Sequence, residues 1–92
     1  MTMRKVILEK QFKKDAKKQY LEFATAAWAE VLNCLCNDLE LPKKYCDHAL
    51  SGQSKDVRDC HVKPDLVLLY FKNGEDYLQL IRIGSHSELF GK

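Results

Sequence analysis

The stretch Leu66-Val67-Leu68-Leu69-Tyr70-Phe71-Lys72-Asn73-Gly74-Glu75-Asp76-Tyr77-Leu78-Gln79-Leu80-Ile81-Arg82-Ile83 decides the fold. Its first six residues are apolar at odd and even positions alike, the mark of a central strand covered on both faces. Asn73-Gly74 follows, a dipeptide that favours a two-residue type I′ turn because both residues tolerate positive φ. Tyr77 to Ile83 then predicts the returning strand. The sheet is therefore built on an antiparallel hairpin.

Upstream, Val57 to Val62 reads as a short strand, and Lys63-Pro64 interrupts it before the central one. Residues 42–55, with Pro42, Ser51, Gly52 and Ser54 among polar neighbours, predict an irregular connection. Earlier still the period changes. Phe12, Ala16, Tyr20, Phe23, Ala27 and Val31 recur at helical steps, with Lys13, Lys14, Lys17 and Lys18 on the other side. Trp28, Val31, Leu32, Leu35, Cys36 and Leu39 form a second stripe. No Gly or Pro separates the two. One unbroken helix of some thirty residues would run about 45 Å, against a radius of gyration near ~12 Å for a domain of this length. A helical hairpin broken around Phe23-Ala24-Thr25 is expected instead, with Thr25 as N-cap of its second helix. Pro42 is expected to end that helix.

Arg4 to Glu9, apolar and β-branched at its centre, predicts a first strand. Gly84 to Phe90 predicts a closing turn or an edge strand. The 92 residues thus form one domain, 1–92, of α+β class: a strand, a helical hairpin on one sheet face, then an antiparallel meander of three or four strands. The second sheet face must be closed by other means or serve as a binding surface.

Composition narrows the function. The longest apolar run, Leu66 to Phe71, is far short of the roughly 20 residues of a membrane span. Val6-Ile7-Leu8 after Arg4-Lys5 is too short a core for a signal peptide. A cytoplasmic protein without membrane contact is expected. The net charge is +2, unevenly spread. Residues 1–18 carry seven Lys/Arg against two acidic groups, +5, and the other 74 carry eight against eleven, −3. A basic front segment suits a polyanion or an acidic protein partner. Cys34, Cys36, Cys46 and Cys60 lack the spacing of paired zinc ligands, and without export disulfides are not expected. They read as small buried hydrophobes.

The chemistry-bearing residues are His48, His61 and His86, with Asp65, Arg58 and Arg82. A connection and two strand ends can bring such residues to one rim of a small sheet. In a regular strand Arg82 shares parity with Leu78 and Leu80, placing its guanidinium at the edge of a covered face. There it pairs with a carboxylate, Asp59 or Asp65, or lines an anion cleft. Three His and an Asp are also zinc-ligand types, but no close His-x₃-His pair is present. No metal or cofactor is expected. Cutting RNA without one requires a base for the 2′-hydroxyl, an acid for the departing 5′-oxygen and a cation at the phosphate. Histidine and arginine supply all three.

Three segments carry a family resemblance. Asp47-His48-Ala49-Leu50-Ser51-Gly52, Arg58-Asp59-Cys60-His61-Val62-Lys63-Pro64-Asp65 and Arg82-Ile83-Gly84-Ser85-His86-Ser87-Glu88-Leu89-Phe90 resemble, in order and spacing, the YafQ-type branch of the RelE/ParE toxin superfamily. The resemblance implies the RelE-like microbial ribonuclease fold and a toxin of a type II toxin–antitoxin pair, an mRNA interferase that works on the ribosome. It implies His48, His61, Asp65 and His86 as catalytic residues, with His48 and His61 as acid/base candidates, Asp65 assisting and His86 handling a proton or a phosphate oxygen. Arg82 and Arg58 would contact phosphate, Phe90 would stack on a base, and Lys13, Lys14 and Lys17 would face ribosomal RNA or an acidic antitoxin segment. A DinJ/RelB-like antitoxin is implied as partner, as is operator DNA reached only through the toxin–antitoxin complex. Which histidine is base and which is acid stays open. The chain departs from some relatives at Leu66, where they carry Trp, and at Ser54, where they carry an aromatic residue.

Two other functions fit the same fold: a ParE-like toxin that blocks a protein such as DNA gyrase, and a module that only regulates its operon. Neither needs three histidines on one rim.

Overall fold

The computed structural model describes residues 3–50 and 56–91. Residues 66–71 lie in the middle of the sheet, as their two-sided apolar pattern requires. Strand β4 (Leu66–Asn73) pairs antiparallel with β3 (Val57–Lys63) on one side and β5 (Tyr77–Gly84) on the other. At the outer edges β1 (Lys5–Leu8) runs parallel to β5, and the two-residue β2 (His48–Ala49) runs antiparallel to β3. The five-stranded order β1-β5-β4-β3-β2 extends the expected meander by β2, inside the connection read as irregular. Ser54, where relatives carry an aromatic, lies outside the described residues.

The turn after β4 corrects the type I′ expectation. Asn73 pairs with Tyr77, so three residues, Gly74 to Asp76, close the hairpin, and Gly74 alone among them has positive φ, at 62°. The wider loop exposes carbonyls that Arg4 takes up: its Nη1 donates to Gly74 O at 2.9 Å and Tyr77 O at 3.1 Å.

Helix α1 (Lys10–Lys18) and helix α2 (Ala26–Cys36) are separated by a 3₁₀ turn, Tyr20–Ala24. Thr25 is the N-cap of α2, its side chain accepting from Trp28 N at 3.2 Å. The break falls where expected, but α1 stops earlier than its stripe suggested, and Tyr20 is exposed. Helix α2 ends at Cys36, well short of Pro42. Asn37 caps it, and Asp38 turns left-handed with φ 55°, held by Arg4 and Lys72, each 2.8 Å from Oδ1. Leu39, the last member of the second stripe, therefore swings out to solvent.

One core lies between the helices and one sheet face. Phe12, Trp28, Val31 and Leu35 pack on Cys60, Val62, Leu68, Tyr70, Leu78, Leu80 and Ile83, with Phe23 edge-on to Trp28 at 4.8 Å. Cys34, Cys36 and Cys60 are buried as expected of small hydrophobes, whereas Cys46 is exposed in a left-handed turn, φ 49°. Burial pushes the Cys60 thiol up to about 12.

The parity argument for Arg82 fails because of a β-bulge. Tyr70 pairs with Leu80 and Leu69 with Arg82, so Ile81 is an extra residue and the alternation slips by one. Ile83, not Arg82, then takes the core position opposite Leu68. The partner of Arg82 is neither Asp59 nor Asp65 but Asp15 on α1. Nε and Nη2 donate to its two carboxylate oxygens at 3.0 and 2.9 Å, and the Ile83 N–H adds a third bond at 3.1 Å. Burial opposes ionisation of Asp15, yet the bonds from Arg82, Ile83 and Gln11 hold its carboxyl below the ordinary range. This contact docks the basic helix on β5.

Two stability outcomes follow. Thr25→Ala removes the cap and costs about 1 kcal/mol in denaturant unfolding, while Thr25→Ser keeps most of it. Asp15→Asn leaves Arg82 without its counter-charge and costs about 2–3 kcal/mol at neutral pH. Because the folded-state pKa of Asp15 is depressed, that difference is complete above the unfolded value of about 3.9 and shrinks as pH falls through the folded one. Unfolding curves of both proteins across acidic pH measure it.

Candidate active site

Strand register places the three imidazoles. His48 on β2 stands opposite Asp59 on β3, His61 two residues on stands opposite Val67, and Val67 stands opposite Gly84 at the end of β5. Directly opposed residues share a face, so Asp59 and His61 lie on the side away from the core residues Cys60 and Val62. Two residues past Gly84, His86 opens helix α3 (His86–Phe90). The rings meet edge to face: His61 and His86 have centroids 5.0 Å apart, His48 and His61 6.4 Å. Phe90 follows one helical turn later, 6.1 Å from His86 and partly exposed.

Helix α3 replaces the expected turn or edge strand. Ser85 accepts from Glu88 N at 3.1 Å while the Glu88 carboxylate accepts from Ser85 N at 2.8 Å, a reciprocal capping box. The Ser-x-x-Glu spacing that encodes it was readable in the sequence. Gly84 permits the approach, since a Cβ there would lie 3.0 Å from Glu88 Oε1. Gln19, between the two N-terminal helical segments, also donates to Glu88, at 3.2 Å.

Each outer histidine has a carboxylate beside it. Asp65, in the turn between β3 and β4, accepts from the His86 backbone N–H at 3.0 Å and meets His86 Nδ1 at 2.7 Å. Those two bonds hold the Asp65 carboxyl below its ordinary range. Because an ionised Asp65 can only accept, Nδ1 is the ring nitrogen that donates to it, and Nε2 lies outside this pair. His48 Nδ1 lies 2.8 Å from Cys46 O, and its Nε2 lies 3.1 Å from Asp59 Oδ1. Asp59 had been read only as a structural partner for Arg82, and it instead stands beside His48.

The cationic candidates are dispersed. Arg58, on the core-facing side of β3, donates to Asp47 at 3.3 and 3.2 Å, and Tyr70 donates to the same carboxylate. Arg58 lines a cavity of about 610 Å³ with Asp47, Tyr70 and Lys72, which includes none of the imidazoles. Arg82 keeps Nη1 outside its pair with Asp15. Lys13, Lys14 and Lys17 are exposed on α1 and belong to another surface. A smaller cavity of about 490 Å³ opens beside His61, lined by Ala27, Tyr45, Val62 and Pro64.

Residues 4–91 match the family model for the bacterial toxin of the type II toxin–antitoxin system, YafQ. The chain is 36% identical over 94 residues to the mRNA interferase toxin YafQ of Escherichia coli strain B, covering 99% of this chain and 100% of that protein. Among solved structures, a copper-bound mutant toxin from Helicobacter pylori superposes with a TM-score of 0.85 at 43% identity, covering 96% of this chain and all of that one. The E. coli DinJ–YafQ toxin–antitoxin complex gives 0.82 at 34% identity, covering 97% of this chain and 99% of that one. Copper is a property of the Helicobacter structure. Among the described residues here no group of three His, Cys, Asp or Glu is arranged to hold a metal, and three imidazole nitrogens already face carbonyl or carboxylate oxygens. Fold, motif order and full-length similarity agree: the chain belongs to the YafQ family of toxins from bacterial type II toxin–antitoxin systems.

Proposed function

We propose that this toxin is an endoribonuclease that cuts mRNA on the ribosome by histidine acid–base chemistry. The observation that carries the reading is the run of three touching imidazoles with His86 braced by Asp65. An imidazole whose Nδ1–H is given to a carboxylate presents a basic Nε2, oriented for proton abstraction. His86 takes the 2′-hydroxyl proton, and the freed 2′-oxygen attacks phosphorus. His61, in the middle, faces the non-bridging oxygens, and a further proton goes to the 5′-oxygen as the P–O5′ bond breaks. The products are a 2′,3′-cyclic phosphate and a 5′-hydroxyl end. Phe90, one turn from His86, offers its ring to a neighbouring base. Arg82 contributes charge from beside the site, its Nη1 outside the Asp15 pair. Arg58, turned to the far face, is assigned a structural role with Asp47.

The surroundings fit the same reading. Lys13, Lys14 and Lys17 face solvent together on α1 and suit ribosomal RNA or an acidic antitoxin segment. A DinJ-like antitoxin is the natural partner, given the DinJ–YafQ complex of the E. coli relative, and operator DNA is reached only through that complex. No helix among the described residues is long and apolar enough to cross a membrane, and the site of action is the cytoplasm. A gyrase-blocking role gains nothing from histidines beside carboxylates.

His86→Ala is expected to lower single-turnover mRNA cleavage with ribosomes by at least ~10²-fold, with unfolding midpoint and circular dichroism unchanged. Asp65→Asn loses less, because it misorients the base without removing it. An mRNA carrying a single 2′-deoxy residue at the scissile position stays uncut. Full activity of His86→Ala, or cleavage of the deoxy substrate, rules the mechanism out. Replacing Lys13, Lys14 and Lys17 by Gln weakens ribosome association and flattens its salt dependence by up to about three units of log–log slope.

A further inference from the structure

We propose that β1 is a self-pairing sheet edge: two copies of this chain join β1 to β1, antiparallel, about a two-fold axis through Ile7. The pairing is independent of the nuclease reading, because β2 and the imidazole rim lie at the other end of the strand order.

Among the described residues, β1 has a neighbouring strand on one side alone. Its parallel ladder with β5 uses alternate residues. Lys5 N donates to Asp76 O at 2.7 Å and Glu9 N to Leu80 O at 3.0 Å, so the backbone N–H and C=O groups of Lys5, Ile7 and Glu9 turn toward β5. Those of Val6 and Leu8 turn outward as an open row of donors and acceptors. The side chains do not blunt this edge. Natural edges are guarded by a proline, a bulge or a charge within the strand. Here the centre is three consecutive apolar residues, with Val6 41%, Ile7 38% and Leu8 42% exposed.

The flanking charges identify the occupant. The strand and its ends read Lys5-Val6-Ile7-Leu8-Glu9, basic before the apolar centre and acidic after it. Antiparallel pairing about Ile7 sets Lys5 against Glu9 of the second copy and Glu9 against its Lys5, while Val6 meets Leu8 and Ile7 meets Ile7. Parallel pairing in the same register would oppose Lys5 to Lys5 and Glu9 to Glu9, which is unfavourable. Glu9 accepts from a neutral donor, Gln79 Nε2 at 2.9 Å, so its charge is free to meet a lysine. The one like-charge match is Arg4 with Lys10. It is relieved by Asp38, whose Oδ1 lies 2.8 Å from Arg4 Nε.

Hydrogen-bond parity selects the same register. Opposed residues that exchange two backbone bonds must both turn outward. Val6 and Leu8 are the residues that do, and the axis at Ile7 opposes them on both sides of itself. Ile7 then occupies the non-hydrogen-bonded position, where side chains approach closest. A shift of one residue would set outward groups against inward ones. A shift of two would set Lys5 or Glu9 against Ile7. Two five-stranded sheets thereby become one continuous sheet. A contact of one strand per copy falls below the roughly 1,200 Å² of standard interfaces, so the dimer is weak and concentration-dependent.

Sedimentation equilibrium of the full chain from about 10 μM to 1 mM should show reversible dimerisation, and amide exchange at Val6 and Leu8 should slow as concentration rises. Lys5→Glu opposes two carboxylates in each charged row, and Glu9→Lys opposes two ammonium groups. Each variant alone should dimerise about tenfold more weakly. Mixed in equal amounts they should recover the wild-type association, because every charged row of the mixed pair again joins unlike charges. If Glu9→Lys does not fold, cross-linking in a Cys46→Ser background decides. With oxidised glutathione, Ile7→Cys should give a disulfide-linked dimer and Val6→Cys should not, since the axis opposes residue 7 to itself and residue 6 to residue 8. Equal cross-linking at the two positions overturns the register. A wild type that stays monomeric to about 1 mM overturns the proposal and leaves the edge to an extended segment of another protein. A dimer that both charge variants leave intact overturns it too, and lies elsewhere on the molecule.

Discussion

Everything at the candidate site depends on the register of β2, β3, β4 and β5. One cross-sheet row joins His61, Val67 and Gly84, and the next joins His48 and Asp59. A slip of one residue in any ladder would carry a whole strand's side chains to the other face. It would send His61 into the core and bring Cys60 or Val62 out. The apolar core on the opposite side enforces the register, because Cys60, Leu68 and Ile83 are all fully or nearly fully buried. Core packing and the grouping of the imidazoles are thus two faces of one constraint.

That arrangement separates the clamps that hold the fold from the clustered histidines. Asp15 and Arg82 anchor α1 to β5 at the bulge, and Asp38 gathers Arg4 and Lys72 at the opposite end of the sheet. His48, Asp65 and His86 sit outside those clamps, on short elements: two residues of β2, the Pro64-Asp65 turn and one turn of α3, while His61 stands on β3. Short elements have little intrinsic stability, so each is tied back by side-chain bonds, the capping box for α3 and the Asp65 contacts for His86. The carboxylates next to the outer histidines differ in environment: Asp65 is largely exposed and Asp59 buried.

Much of the fold was legible in the residues. The two-sided apolar run 66–71 announced the central strand, Thr25 announced the second helix, and the three motif segments contain the three histidines whose rings lie together. The parallel pairing of β1 was not legible, since nothing in Lys5–Leu8 specifies a neighbour seventy residues away. Nor was the bulge at Ile81, because an inserted residue is invisible to a parity count that assumes a regular strand. That one residue reassigned Arg82 from Asp59 or Asp65 to Asp15. Helix α2 ended early because Asn37 and Asp38 cap it, a local polar effect that Pro42 overshadowed in the sequence. Asp59 was visible only as a residue of the right type. Its place beside His48 depends on β2, which two residues could not announce.

The most direct test of the gathered-imidazole account is a crystal structure with a short RNA blocked by a 2′-O-methyl group at the scissile nucleotide. The account places the scissile phosphate over His61, with the 2′-oxygen toward His86 and an adjacent base against Phe90. A phosphate seated instead in the Arg58 cavity or along the α1 lysines, with the three rings untouched, would contradict it.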